Sequence, residues 1–133
     1  MKYFVLAAFA LFTVKLSAQD TAKRDSVVQF VEELPQFPGG ELALVEYLKS
    51  NVKYPKKEKR KQIEGTAYVS FIIDKSGAVR DVEIFKGTEA KATKAMRKEA
   101  VRVVAQMPNW KPGTQRGKPV HVKYSIPIMF RFK

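Results

Sequence analysis

From Val120 to Lys133 the chain alternates without a break. Val120, Val122, Tyr124, Ile126, Ile128, Phe130 and Phe132 interleave with His121, Lys123, Ser125, Pro127, Met129, Arg131 and Lys133. A period of two puts each set on its own face of a strand, so this stretch predicts a long strand buried on one side. Residues 66–73 carry the same signal, with Ala67, Val69, Phe71 and Ile73 toward a core and Thr66, Tyr68, Ser70 and Ile72 away from it. Asp74-Lys75-Ser76-Gly77 follows, and Asp at the first and Gly at the fourth position suit a type I turn. A second strand is therefore expected over Val79 to Phe85, forming a hairpin with the first.

Two stretches change to helical spacing. Leu44, Val45, Leu48 and Val52 predict a helix that opens at Gly39-Gly40, places Glu41 in its first turn and stops at Tyr54-Pro55. Thr93, Met96, Ala100, Val103, Val104 and Met107 form the apolar face of a longer helix over Glu89 to about Met107, with Thr88 as its cap and Pro108 as its stop. Lys91, Lys94, Lys98 and Arg102 make its other face basic, so it must lie across a sheet with its charges outward. Lys53 to Lys61 holds six basic residues in nine and reads as a solvated loop or frayed turn, with an anion site as the sharper alternative. Asn109 to Pro119 is a loop rich in turn formers. Residues 19–38 are polar with isolated apolar positions and read as a tether or a loosely docked arm.

The N-terminus bears on location. Lys2, an apolar run from Tyr3 to Val14 and the small-residue site Leu16-Ser17-Ala18 make residues 1–18 an expected signal peptide. A spanning helix needs about twenty apolar residues, and Lys15 interrupts this run too early for that reading. Removing eighteen of the 133 residues leaves 115, one domain's worth of chain. Lys2 and Lys15 would leave with the signal, so the net charge falls from +12 to +10. Such a balance favours anionic partners: nucleic acid inside a cell, but acidic peptides, lipid headgroups or plain solubility outside it. Export selects the second group and excludes nucleic acid as the expected partner.

Pro127 sits inside the last strand. It removes a ladder hydrogen bond, which places that strand at a sheet edge with the missing N–H outward. Residues of the same parity, His121, Lys123, Ser125, Met129 and Arg131, would then aim their backbone groups at the free edge and share one exposed face. Lys123, Pro127, Arg131 and Lys133 are residue types that protect such an edge from aggregation. The same edge could accept an extended peptide as an added strand, and both readings use the same residues.

Catalytic chemistry is not evident. The sole histidine, His121, has no cysteine or carboxylate nearby in sequence from which to build a zinc site or triad, and the chain contains no cysteine. Asp74 has turn work to do, and neither it nor Asp81 has a second carboxylate at an acid–base spacing. The glycines form no phosphate-binding loop. The expectation is a chain that is not an enzyme and takes no cofactor or metal. Trp110, between a helix stop and a Pro-Gly turn, reads as a plug at the end of the core.

Several pieces in order carry a family resemblance: Tyr54-Pro55, Ile63-Glu64-Gly65 leading into Val69-Ser70-Phe71, the Asp74 to Gly77 turn, Met107 to Gly113, Gly117-Lys118-Pro119-Val120 and the Tyr124 to Phe132 strand. Together they resemble the C-terminal domain of TonB, the energy transducer for outer-membrane uptake receptors. The resemblance covers Tyr54 to Phe132 and assigns residues 39–133 to such a domain. It implies an α+β two-layer sandwich, a three-stranded antiparallel sheet packed on one long helix, with the shorter N-terminal helix beside it and the last strand at an edge.

It also implies binding of outer-membrane TonB-dependent receptors by capture of the TonB box, through His121, Val122, Lys123, Tyr124, Ser125, Ile126, Pro127, Ile128 and Met129. Asn51, Lys53, Tyr54 and Pro55, with Val52 among them, correspond to a secondary binding stretch, here without its glutamine-rich character. The expected location is the periplasm. The transducers' membrane helix and long proline-rich linker are not matched, so receptor binding in TonB-linked transport is expected rather than force transmission unaided. The alternative is a basic envelope-associated protein that binds anionic surface polymers or pairs as a homodimer.

Overall fold

The computed structural model describes residues 27–28 and 32–132. The expected signal peptide lies outside the described residues, as does much of the expected arm. Among the described residues no helix is long and apolar enough to cross a membrane. The strands are β1 (Val27–Val28), β2 (Gly65–Ile73), β3 (Val79–Ile84), β4 (Gly113–Gln115) and β5 (Lys118–Phe130). The helices are α1 (Glu41–Asn51), α2 (Lys56–Arg60) and α3 (Lys94–Ala105), and a single 3-10 turn covers Glu89–Lys91.

The sheet runs β1-β5-β2-β3, and β4 also pairs with β5. β5 is antiparallel to β2 from Gly65↔Phe130 to Ile73↔Val122, whereas β1 lies parallel to β5 at Val27↔His121 and Val28↔Val122. The α+β class holds, but three antiparallel strands on one long helix do not. β4 arises because Arg116 and Gly117 both take positive φ (55° and 75°), a type I′ turn that folds Gly113–Gln115 back onto the start of β5. The lysine-rich stretch forms a turn of helix, α2, because Glu58 turns inward and its carboxylate accepts from the Thr93 hydroxyl at 2.7 Å. Lys56, Lys57, Lys59 and Arg60 stay exposed.

The long helix also starts later than expected. Thr88 spends its hydroxyl on the Phe85 carbonyl (2.6 Å), and Ala92 is extended and buried. Thr93 caps α3 instead, its Oγ1 accepting from the Met96 N–H. The spacing of Met96, Ala100, Val103 and Val104 then delivers a fully buried face. Opposite it lie Ala67, Val69, Phe71 and Ile73 of β2 and Ile126, Ile128 and Phe130 of β5. Leu44 and Leu48 of α1 and Val52 just after it complete the core, and Tyr47 donates to the Val103 carbonyl at 2.8 Å, fixing α1 against α3.

Residues 32–37 of the arm are docked against the segment after α3. Glu33 and Thr114 exchange backbone hydrogen bonds (3.1 and 3.0 Å), Gln36 and Lys111 do the same (2.9 and 2.7 Å), and Phe37 is buried edge-on against Trp110. Trp110 does plug the core end, touching Phe71 and Tyr124 as well. Its backbone N–H donates to the Gly77 carbonyl at 2.7 Å, which brings the hairpin turn against the α3–β4 connection.

Gly77 has φ +90°, and a Cβ there would lie 1.9 Å from the Trp110 carbonyl oxygen. Gly77→Ala therefore combines backbone strain with a collision against immovable backbone, and should cost roughly 2–4 kcal/mol in denaturant unfolding. Gly117→Ala meets positive φ but nothing within 4 Å, and should cost only about 1 kcal/mol. Equal losses at the two positions would mean that the Gly77–Trp110 contact adds nothing.

Candidate strand-docking edge

The backbone parity of β5 follows from its neighbours. The Tyr68 carbonyl, opposite Pro127, accepts from the Phe85 N–H at 2.7 Å and so faces the β3 side. Tyr68 and Pro127 are thus a non-hydrogen-bonded pair, and Pro127 points its backbone away from β2. At the other end Thr114, opposite Pro119, gives both its N–H and its carbonyl to Glu33. Pro119 therefore also faces away from its partner, and the alternation of β5 puts both prolines on the same outer edge. Between them the outward N–H groups belong to His121, Lys123 and Ser125. β1 occupies the start of that edge, at His121 and Val122.

The other outer strand is less suited to pairing. β2 advances from Ser70 to Ile72 while β3 spans Glu83 to Arg80, leaving one extra residue in β3. Asp81 takes φ +54° at this bulge and pairs with Arg80 at 2.9 Å. Bulges and charges at an edge obstruct strand addition.

Side chains of the expected site divide by face. Val122, Ile126 and Ile128 are buried in or beside the core, and Tyr124 is half-buried with its ring on Trp110. On the other face Lys123 is exposed and Met129 half-buried. His121 is also half-buried, and its Nδ1 accepts from the Lys75 N–H at 3.2 Å. Ser125 is only 4% exposed and faces Ser70, also 4% exposed, while Pro127 is buried opposite Tyr68. The expected single exposed face is thus corrected: two small serines set opposite each other sink between larger neighbours, and Lys123 is the fully exposed member of the set on β5.

Comparison with known proteins agrees with this architecture. The family described as Gram-negative bacterial TonB protein C-terminal matches residues 50–132. The chain belongs to the TonB C-terminal family. Its fold is similar to the NMR solution structure of the Helicobacter pylori TonB C-terminal domain, residues 179–285, at TM-score 0.50 and 22% identity, covering 91% of this chain and 98% of that one. A shorter form of the same domain, residues 194–285, aligns at TM-score 0.47 and 26% identity over 67% of this chain and 89% of that one. No curated protein matches the chain.

In this TonB-type domain the secondary stretch is tied into the fold. Asn51 donates to the Tyr47 carbonyl and its own carbonyl accepts from Arg102, at 2.7 and 2.9 Å. The Lys53 N–H donates to the Glu99 carboxylate at 2.7 Å. Burial alone would raise Glu99, but hydrogen bonds from Arg102 and Lys53 outweigh it and hold the carboxyl below its usual range. Pro55 sits at the N-terminus of α2. Tyr54 is the residue that reaches β5, its ring 4.7 Å from Phe132 and edge-on to Phe130.

Four features of the site and its surroundings were missing from the sequence reading. Pro119 shares the parity of Pro127 and could have been found by counting back along the alternation. β1 carries no signal beyond Val27-Val28 in a polar stretch. Glu58 and Glu99 look like members of charged faces, and only tertiary contacts turn them inward.

Tyr54 donates its hydroxyl to the Ile63 carbonyl and comes within 3.4 Å of that of Phe130. Burial, with the Glu64 and Glu58 carboxylates adding to it, pushes its pKa up to about 12. Tyr54→Phe should cost about 1 kcal/mol at neutral pH. Because the folded pKa is raised, the hydroxyl's contribution is complete below about pH 10 and is lost as pH rises through about 12. Unfolding of both proteins across that range should show the difference shrinking; a constant difference would refute this role.

Proposed function

We propose that this domain binds an extended segment of an outer-membrane receptor by adding it as a strand to the outer edge of β5, centred on Lys123 and Ser125. In this reading residues 1–18 export the chain to the periplasm, and the role is receptor binding in TonB-linked transport. The observation that carries it is that this edge already holds a strand, β1, whose last pair is Val28↔Val122, and that the outward N–H of Ser125 continues beyond it. The bulged β3 edge supports the choice of β5, and membership of the TonB C-terminal family supports the receptor as partner. Backbone bonds of about 0.5–1.5 kcal/mol each would supply affinity, and the neighbouring side chains selectivity.

The test is an NMR titration of isotope-labelled protein with N-terminal peptides of outer-membrane receptors, at low and moderate salt. Amide shifts should concentrate in Lys123 to Met129 and survive salt, because strand addition rests on backbone bonds rather than screened charges. A response confined to the exposed lysines of α2 and lost with salt would favour anionic envelope polymers instead. Lys123→Pro removes one outward N–H at an exposed position, a donor that β1 and an added strand would both use, and no bond to β2. It should weaken peptide binding about tenfold while changing stability by less than about 1 kcal/mol. Ser125→Pro is the poorer test, since its ring must fit a position that is only 4% exposed.

A further inference from the structure

We propose that the N-terminal arm is a built-in occupant of the docking edge, which an added strand must displace to use the edge in full. This rests on the reading of β5 as the docking strand. Pro119 and Pro127 bound a window on that edge in which only His121, Lys123 and Ser125 present outward N–H groups. β1 pairs at the first of these, through Val27↔His121, and continues to Val28↔Val122.

The rest of the arm is anchored on a different strand. The Glu32 carboxylate accepts from the Arg116 N–H at 2.6 Å, Thr114 donates its hydroxyl to the Glu33 carboxylate at 2.7 Å, and Glu33 and Gln36 bond the backbone of Thr114 and Lys111. Phe37 is buried against Trp110 and Tyr47. These contacts hold residues 32–37 whether or not β1 is paired. Only residues 29–31 separate Val28 from Glu32, so the arm strand is presented to the edge at a high effective concentration, of millimolar order.

The occupant is also weak by construction. Two residues of parallel strand make few hydrogen bonds, and pairing on this edge stops at Val122. The parallel pair Val28↔Val122 engages the Lys123 N–H through the Val28 carbonyl, so a segment covering His121 through Ser125 would gain the bond at Ser125 that β1 does not make. Tethering raises the threshold for binding, and the shortness of β1 lets a longer strand exceed it. The arm therefore sets how strong a partner must be and keeps the start of the edge covered between encounters.

The experiment compares the full chain with its Val27→Pro/Val28→Pro variant, in which the arm loses the Val28 N–H that the parallel pairing directs at the edge. Amide exchange at His121 should accelerate about tenfold in the variant, while Ile126 and Ile128, which face β2, keep their protection and report an intact fold. A synthetic peptide with the sequence of residues 24–31, added in trans, should bind the variant about tenfold more tightly than the wild type. Unchanged exchange together with equal peptide affinity would overturn the proposal. If the arm peptide distinguished the two proteins while receptor peptides bound neither, the receptor assignment would fall and the self-occupied edge would stand. Receptor peptides binding both proteins equally, with exchange unchanged, would do the reverse.

Discussion

The antiparallel ladder between β2 and β5 fixes everything about the edge, because its register decides which backbone groups of β5 face inward. A slip of one residue would turn Val122, Ile126, Ile128 and Phe130 out of the core and aim the prolines at β2. Both consequences are unfavourable. A proline facing β2 would leave a carbonyl there without its donor, and the exposed apolar residues would give up about 1.5–3 kcal/mol each. The prolines and the apolar face thus select one register together, and that register leaves His121, Lys123 and Ser125 with outward donors.

Each end of β5 is then held by an aromatic residue from another part of the chain. At the start, Trp110 packs on Tyr124, Phe71 and Phe37 while its amide bonds Gly77, and His121 accepts from Lys75 in the same hairpin turn. That turn is itself rigid: Asp74 accepts from the Ser76 hydroxyl and from the amides of Ser76 and Ala78. Donation by Ser76 is the main reason its carboxyl titrates below the usual range. At the far end, Tyr54 ties the segment before β2 to Phe130 and Phe132. An added strand would therefore meet a rail with both ends fixed, and little of its binding energy would go into ordering the host.

Much of this was legible in the sequence, and the boundary between what was and was not has a physical form. β2, β5 and the turn between β2 and β3 announce themselves through period two and through Asp74 and Gly77, because their own side chains decide their structure. Trp110 was readable as a plug from its size and its position after a helix stop. What escaped depends on partners far along the chain. Thr88 and Thr93 are both candidate caps until Phe85 takes the first hydroxyl, while Glu58 accepts from the second and leaves its oxygen to cap Met96. Glu58 in a run of lysines looks solvated until Thr93 reaches it. The arm's pairing with Thr114 and Lys111 rests mainly on backbone groups, and its side-chain bonds, Thr114 to Glu33 and Arg116 to Glu32, join residues more than eighty positions apart. Of the edge itself, Pro127 was legible, Pro119 was legible in principle, and β1 was not.

Protection of this edge and the recognition proposed for it would draw on the same features, which is why sequence could not separate them. Pro119 and Pro127 deny a donor at either end of the window, so a long unrelated strand cannot zip along it in register. β1 covers the first position, and Lys123 places a charge beside the next. What remains open is short, which disfavours the extended pairing that leads to aggregation while still admitting a segment of a few residues. The net charge of the chain, +12, acts on a different level: such a charge favours solubility and anionic partners in general but specifies no register. Selectivity must come from the backbone window and the side chains around it. On that view the arm is part of the recognition surface rather than a linker that happens to touch it.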